Sequence, residues 1–265
     1  MLFRDGREAF RLRTGNLGMD EIASLAGELA TADHVVALTG AGVSTASGIP
    51  DFRSEGGIWD QFDPGEFRYS RFQSDPAGFW ELRAEMHEAV YGGDIAPNAA
   101  HKALATMEAN GFLDAVITQN IDGLHHEAGS ESVVELHGNG QRVVCQGCGR
   151  RQSMAAVRER IDAGELPPLC ESCEGVLKPD VVLFGEPLPQ APLQQAQQHA
   201  READVFLAIG SSLSVQPAAS LPSAAQRSGG TLAIFNLEST TLSSGATYDI
   251  RADVTETLPA LVETL

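Results

Sequence analysis

Lysine is nearly absent from this chain. Among 265 residues it occurs only as Lys102 and Lys178, so arginine supplies almost all of the 18 basic side chains. They are outnumbered by 36 acidic side chains, which gives a formal net charge of −18. Because nucleic-acid phosphates repel such a chain, we expect no direct binding to nucleic acid.

The acid excess favours a protein adapted to high salt. At molar ionic strength the Debye length is about 3 Å, so surface carboxylates repel one another weakly while they keep the surface hydrated. A GC-rich genome that replaces lysine by arginine is the alternative, but it does not account for the acid excess. The high-salt interpretation predicts that the protein unfolds when salt is removed.

Long hydrophobic runs are also missing. No apolar run reaches the roughly 18 residues that a membrane span needs, and the N-terminus lacks the apolar core of a secretory signal. We therefore expect no membrane association and a cytoplasmic location.

Cysteine is scarce and confined to two CxxC pairs. Cys145 and Cys148 form the first, Cys170 and Cys173 the second, with 21 residues between the pairs. In a reducing compartment this spacing indicates metal ligation rather than disulfides, and it suits one zinc ion held by four thiolates. Because four sulfurs leave no open coordination position, we expect one structural zinc per chain and no catalytic role for it.

Strand-like and helix-like segments alternate along most of the chain. The apolar runs typical of strands are 34–39, 114–118, 132–136, 181–184, 204–209 and 231–236. Apolar residues at helical spacing occupy 20–30, 97–109, 188–202 and 215–227. This order predicts an α/β fold, namely a Rossmann-like doubly wound parallel sheet with a smaller inserted domain.

Two stretches interrupt the alternation and define the predicted domains. Residues 20–54, 97–141 and 176–265 are assigned to the Rossmann-like domain, which would bind a dinucleotide. Residues 55–96, a helical insertion, and 142–175, the cysteine segment, are assigned to the small domain. Residues 1–19 are predicted to be an N-terminal extension, either a mobile tail or a segment upstream of the true start at Met19. We expect the ligand site in the cleft between the two domains.

A glycine turn follows the first strand and is typical of phosphate-binding turns, although a plain tight turn has the same sequence. Gly40, Ala41 and Gly42 would let the main chain approach an anion closely, and we expect Ser44 and Thr45 to cap the following helix. The next residues, Ile49 to Arg53 (IPDFR), place a rigid proline, a carboxylate, an aromatic ring and a guanidinium in one polar loop.

The segment TGAGVSTASGIPDFRS, residues 39–54, resembles the signature of the sirtuins, the NAD-dependent protein lysine deacylases. Further motifs of that family follow in the same order: TQNIDGLH (118–125), ELHG (135–138), the two CxxC pairs, FGE (184–186), GSSLSVQP (210–217) and FNLE (235–238). The resemblance covers nearly all of residues 20–255. It implies removal of acetyl, or another neutral acyl group, from protein lysines, with NAD as co-substrate and an acetylated protein or peptide as partner. The products would be nicotinamide, free lysine and O-acyl-ADP-ribose.

The resemblance also assigns the catalytic residues. His137 in ELHG would be the general base on a ribose hydroxyl, a task that suits a pKa near neutrality. Asn120 would order the nicotinamide ribose and a water, Asp122 would hold the carboxamide, and Gln119 would contact ribose. Three polar residues in four positions after a strand exceed what a helix cap alone needs.

The remaining assignments concern NAD and the peptide. Arg53 would meet pyrophosphate or ribose, and Phe52 would shield the reactive sugar face. The other residues assigned to NAD are Gly40, Ala41, Gly42, Ser44, Asp51, Ile121, Gly210, Ser211, Ser212, Asn236, Leu237 and Ala252. An extended substrate peptide would pair with the segment that contains Val181, Val182, Phe184 and Gly185.

Several alternatives stay open at this point. Family members that prefer succinyl or malonyl groups carry a Tyr and an Arg three residues apart, whereas the corresponding stretch here offers Arg83 and Met86, which favours a neutral acyl chain. A protein ADP-ribosyltransferase would use the same bound NAD. An NAD sensor without turnover is disfavoured by His137 and Asn120, and a nucleic-acid-binding zinc module by the charge. No acidic residue stands at the usual Rossmann distance after the glycine turn, which weakens an ordinary dehydrogenase.

Overall fold

The computed structural model describes residues 20–52, 54 and 56–265, and these form two sheets with helices around them. The strands are β1 (Val35–Thr39), β2 (Ala115–Thr118), β3 (Val133–Glu135), β4 (Gly138–Cys145), β5 (Arg151–Ser153), β6 (Leu177–Val181), β7 (Val205–Ile209), β8 (Thr231–Phe235) and β9 (Tyr248–Ile250). The helices are α1 (20–29), α2 (Ile58–Gln61), α3 (Tyr69–Ser74), α4 (Pro76–Tyr91), α5 (Ala99–Ala109), α6 (Leu124–Ala128), α7 (Met154–Asp162), α8 (Gln190–Glu202), α9 (Leu221–Arg227) and α10 (Val254–Thr264).

The larger sheet has the strand order β3-β2-β1-β7-β8-β9, and every pair in it is parallel. From β1 the chain first builds outward through β2 and β3, then crosses to the other side of β1 and continues through β7, β8 and β9. The order therefore reverses between β1 and β7, which is the point where doubly wound sheets bind ligands. The predicted Rossmann-like fold is confirmed.

Helices cover both faces of this sheet, which is why its central strands are apolar throughout. On one face, α1, α5 and α10 pack around Leu25, Leu104 and Leu258. On the other face, α8 and α9 pack through small residues such as Ala196 and Ala225. The turn before α5 has a capping residue, since the Asn98 side chain accepts a hydrogen bond from the Ala100 amide at 2.9 Å.

The smaller sheet is antiparallel, in the order β5-β4-β6, and has its own apolar core. That core joins the β-strands to α4 and α7 through Phe79, Trp80, Val143 and Val157. The indole nitrogen of Trp80 donates to the Leu177 carbonyl at 2.8 Å, which fixes α4 against β6. The helical insertion and the cysteine segment thus share one core. Strand β6, in the range assigned to the Rossmann-like domain, pairs in the smaller sheet, and the domain assignment stays a prediction.

One strand assignment from the sequence was wrong, and strands β4, β5 and β9 were missed. The run 181–184 was predicted to be a strand. The strand there is β6, which ends at Val181. It pairs with β4 in the antiparallel sheet, where Gly138 lies opposite Val181. Strand β9 was missed because its three residues are too few for a periodic pattern. The predictions for residues 1–19 and for Arg53 lie outside the described residues. Within the described residues, no helix is long and apolar enough to cross a membrane.

Candidate active site

The glycine turn after β1 packs directly against the end of β7. The Gly42 amide donates to the Gly210 carbonyl at 2.8 Å, and a Cβ on Gly42 would lie 2.8 Å from that same oxygen. Glycine is therefore required here because the two backbone turns pack too closely for a Cβ, whether or not a ligand also binds at the turn. Residues 41–43 and 45–47 form two short 3₁₀ turns without a side-chain cap, so the expectation that Ser44 and Thr45 cap a helix was wrong.

His137 lies where the chain passes from the large sheet to the small one. Its Nδ1 is 2.8 Å from the Gln119 carbonyl oxygen at the end of β2. Because a carbonyl oxygen can only accept, Nδ1 carries the hydrogen and Nε2 keeps a lone pair. Burial lowers the pKa of His137, and the hydrogen bond to Gln119 opposes this shift. The imidazole is thus held in the tautomer whose Nε2 can accept a proton.

Glycine at position 138 makes this junction possible. Gly138 has φ +76°, and a Cβ on it would overlap the Asp180 carbonyl. The backbone of His137 is fixed as well, because the Val182 amide donates to the His137 carbonyl at 2.9 Å. The two sheets are therefore joined at the residue that carries the imidazole.

Asn120 and Asp122 are connected through Ser44. The Asn120 amide nitrogen donates to the Gly40 carbonyl and to Ser44 Oγ, both at 3.1 Å, and Ser44 Oγ donates to Asp122 at 2.7 Å. Both amide hydrogens of Asn120 are used, so it can offer a ligand only its oxygen as an acceptor. The second oxygen of Asp122 accepts from the Leu124 amide at 2.9 Å, so Asp122 also fixes the start of α6.

Two buried histidines lie behind this network, with ring centroids 4.9 Å apart. His125 Nε2 is 2.8 Å from the Thr39 hydroxyl, which donates to the Thr118 hydroxyl at 2.9 Å. Since Thr39 has only one hydrogen to give, Nε2 of His125 is the donor. Burial lowers the pKa of His101 to about 4 and that of His125 to about 3, so both rings are neutral.

A cleft of about 1340 Å³ opens at the carboxyl ends of β1, β2, β7 and β8. Its volume exceeds the roughly 300–1,000 Å³ of a typical drug-sized ligand site, so there is room for two ligands side by side. Most of the residues that the sequence assigned to NAD, to catalysis or to the peptide line it: Gly40, Ala41, Gly42, Asp51, Phe52, Gln119, Asn120, Ile121, His137, Val181, Val182, Phe184, Gly185, Gly210, Ser211, Ser212, Asn236 and Leu237.

Among the assigned residues that the structure describes, three do not line the cleft. Asp122, 8% exposed, and Ser44, also buried, lie one layer beneath the wall, where Ser44 accepts from Asn120 and donates to Asp122. Ala252 is half-buried and packs against the core under α10. The side chains that bind Asn120 thus act from behind the surface in this structure.

The four cysteines form one compact cluster. Their sulfurs all lie within 4.8 Å of one another, with Cys145 and Cys173 at 3.4 Å and Cys148 and Cys170 at 3.9 Å. Four sulfurs at 2.3 Å around a tetrahedral zinc are about 3.8 Å apart, so these separations fit the metal. The Gly147 amide also lies 3.3 Å from the Cys145 sulfur and donates to it, which stabilises a thiolate ligand. Four sulfurs would leave no open position on a tetrahedral zinc, so the cluster fits a structural zinc site.

Comparison with known proteins decides the family. The profile of the Sir2 family matches residues 40–217, more than half of the chain. The chain belongs to the Sir2 family. It is 54% identical over 255 residues to an NAD-dependent protein deacetylase of Haloarcula marismortui, which covers 94% of this chain and 98% of that protein. It is 47% identical over 247 residues to NAD-dependent protein deacetylase 1 of Pyrobaculum aerophilum, covering 93% and 94%.

Solved structures of Sir2 enzymes have the same fold as this Sir2-family chain. One contains a p53 peptide and NAD⁺; it has a TM-score of 0.81 at 38% identity and covers 91% of this chain and 96% of that one. Another contains a deacetylated p53 peptide and 3′-O-acetyl-ADP-ribose, with a TM-score of 0.82 at 38% identity and the same coverage.

Several residues that line the cleft of this Sir2-family chain were not assigned to the site from its sequence. They come from the small domain, from the loop before α9 and from the start of α10: Phe67, Phe79, Val215, Gln216, Pro217, Asp253, Val254 and Thr255. Arg83 and Met86, which the resemblance had connected with acyl preference, line the cleft as well. Most of the unassigned residues stand in apolar helical or loop patterns, which predict a core position equally well. Residues 215–217 belong to the GSSLSVQP motif, so this motif could have identified them as part of the site.

Proposed function

We propose that this Sir2-family chain removes acetyl groups from protein lysines with NAD as co-substrate. The observation that carries the proposal is the orientation of His137, whose Nδ1 hydrogen is donated to the Gln119 carbonyl while its ring lines the cleft. An imidazole held this way is ready to take a proton from a hydroxyl at Nε2.

The cleft walls divide between two ligands. The glycine turn after β1 and the hydroxyls of Ser211 and Ser212 line the side of the cleft that suits the pyrophosphate and ribose of NAD. The amides of Gly40, Gly42 and Gly210 are used in backbone hydrogen bonds, so these glycines contribute close approach rather than donors. Phe184, which is 46% exposed, stands at the peptide side of the cleft. The Phe184 amide and carbonyl already bond to Phe67 and Tyr69, and the Leu183 amide and carbonyl bond to Glu186. Among the described residues, the Gly185 backbone has no hydrogen-bond partner, so a peptide strand would pair there first.

The reaction would proceed as follows in this site. The acetyl oxygen of the substrate lysine attacks C1′ of the nicotinamide ribose, and the C1′–N bond breaks to release nicotinamide. His137 takes the proton from a ribose hydroxyl, which then attacks the imidate carbon. Water completes the transfer, and the products are free lysine and O-acetyl-ADP-ribose. Asn120, with only its oxygen available, would accept a hydrogen bond from a ribose hydroxyl or from a water.

Mass spectrometry of an acetyl-lysine peptide with NAD at molar salt tests the proposal. We expect loss of acetyl together with equal amounts of nicotinamide and O-acetyl-ADP-ribose. The His137→Ala variant should lose this activity, whereas His199→Ala, which changes a histidine of α8 outside the cleft wall, should keep it. A peptide that keeps its acetyl group while gaining ADP-ribose would instead identify an ADP-ribosyltransferase. The cytoplasmic location and the absence of nucleic-acid binding stay proposals from the sequence.

A further inference from the structure

A small recess lies between α4 and α7, outside the main cleft. Residues about one turn apart on each helix line it: Trp80, Arg83, Ala84 and His87 on α4, and Met154, Arg158 and Ile161 on α7. Among these residues, only Arg83 also lines the main cleft. The volume of the recess is about 10 Å³, close to what a single water-sized particle needs.

Two guanidinium groups line this recess. Arg83 is 6% exposed and its Nη1 is fully buried with no hydrogen bond, while Arg158 is half-buried. Within the part of the chain that the structure describes, neither arginine forms a hydrogen bond or an ion pair. Because arginine stays protonated in proteins, the recess carries two positive charges.

No acidic side chain among the described residues lines the recess. Burial and the charges of Arg158 and Arg83 lower the pKa of His87 to about 4, so its ring is neutral and one ring nitrogen carries a hydrogen. Asp162 opposes this shift, but it is exposed and does not line the recess. The three polar side chains of the recess can therefore donate hydrogen bonds, and none of them supplies negative charge.

Two like charges without a counter-charge are unfavourable in this position. Burial lowers the pKa of Arg83, and the charge of Arg158 lowers it further. Taking a charge out of water costs free energy unless it is paired, and the repulsion between the two guanidinium groups adds to this cost. One anion between them would remove both costs and would accept charge-assisted hydrogen bonds.

We propose that the recess binds one halide ion, normally chloride, between the guanidinium groups of Arg83 and Arg158, with an N–H of His87 as a further donor. The volume favours a monatomic anion, since phosphate, sulfate and carboxylate groups need more room than one water-sized particle. A halide is slightly larger than water, and the long, half-buried side chain of Arg158 can adjust to it. The remaining wall, formed by residues such as Trp80 and Ile161, is apolar and suits a weakly hydrated ion.

The ion would connect the two segments that form the small domain. Helix α4 belongs to the helical insertion, and α7 belongs to the cysteine segment. A ligand that binds only the folded form stabilises it in proportion to the logarithm of its concentration, so a weak site is filled at molar chloride. We therefore expect chloride to stabilise the protein beyond the general effect of ionic strength.

The test separates bound chloride from screening by keeping the ionic strength constant. Melting temperatures are measured in mixtures of potassium chloride and potassium gluconate at a total of about 1 M, where screening is the same in every mixture. Gluconate has the same charge as chloride but is too large for the recess. The variants are Arg158→Met, Arg158→Lys and the control Arg201→Met, which removes an exposed arginine of α8 outside the recess.

We expect the wild type and Arg201→Met to melt at least about 2 °C higher in chloride than in gluconate. Arg158→Met should lose most of this difference, because one of the two cations is gone, and Arg158→Lys should keep part of it. The absence of a difference in the wild type, or a difference that is the same in Arg158→Met, overturns the inference.

Bromide locates the ion directly in the wild type, whether or not the variants fold. We expect crystals grown in potassium bromide to show an anomalous peak at the bromine absorption edge, within hydrogen-bond distance of both guanidinium groups. The lack of a peak there overturns the inference, and so does a peak with no halide effect on the melting temperature, which would be an adventitious ion only. Neither measurement requires turnover, so failure here leaves the proposed function intact, and an inactive enzyme leaves this inference intact.

Discussion

The ammonium group of Lys178 lies 3.0 Å from the carboxylate of Glu186, across a turn that forms part of the cleft wall. Lys178 is 3% exposed, and its Nζ also donates to the Val181 carbonyl at 2.6 Å. Glu186 in turn accepts from the Leu183 amide at 3.0 Å. One of the two lysines of the chain thus fixes both ends of the segment where a substrate peptide is expected.

Replacing Glu186 by glutamine should therefore weaken peptide binding more than NAD binding. The change leaves a buried ammonium without its counter-ion, which typically costs about 3–5 kcal/mol; because Glu186 is partly exposed, we expect the lower end of this range. Denaturant unfolding measures the loss, and initial rates should show a higher KM for peptide with an unchanged KM for NAD. Glu81→Gln, at an exposed position of α4, is the control. Equal increases in both KM values would contradict the positioning role.

The protonation of His137 should set the acid limb of the rate profile. Its pKa is lowered from 6.5 by burial, and the unprotonated ring is the active form, so the midpoint of the acid limb of kcat/KM should lie below pH 6.5. Steady-state rates on both sides of pH 6.5 provide the measurement. A limb centred above pH 6.5 would show that another group controls the reaction.

The buried pair His101 and His125 should make the fold sensitive to acid. Their pKa values are lowered from 6.5 to about 4 and about 3, so below pH 6.5 the unfolded chain binds protons that the folded chain does not. Their contribution to stability is complete above pH 6.5 and is lost as the pH falls, by up to about 1.4 kcal/mol per pH unit for each proton. Denaturant unfolding between pH 7 and pH 5 measures this slope. His125→Gln should reduce it, and an unchanged slope would exclude the effect.

The cysteine cluster should hold one zinc ion per chain, measured by elemental analysis. Zinc stabilises small zinc-finger domains by about 10–16 kcal/mol, so removal by a chelator should unfold the small domain first. Cys173→Ser should have the same effect without a chelator, and zinc added back to the chelated wild type should restore the melting temperature. Full thermal stability of the metal-free wild type would contradict a structural role.

The charge of −18 predicts that salt stabilises the fold. Between about 0.1 M and 1 M KCl the Debye length falls from about 10 Å to 3 Å, so repulsion among surface carboxylates decreases. The melting temperature should rise over this interval, as measured by circular dichroism. The same melting temperature at both concentrations would favour the GC-rich-genome interpretation of the arginine bias.

The sequence by itself determined the elements that depend on local pattern. Apolar runs separated by helical spacing predicted five of the six strands of the large sheet and its doubly wound class, and the CxxC spacing predicted the sulfur cluster, because period and spacing are properties of neighbouring residues. The ELHG motif identified His137 before its contact with Gln119 was known. The tertiary structure alone decided what depends on contacts across the chain. It placed Ser44 and Asp122 behind the cleft wall and assigned the glycines at 40 and 42 to packing against Gly210. It also brought Arg83, in a helical pattern, to the wall of the cleft. No spacing within α4 encodes which distant groups surround a side chain after folding.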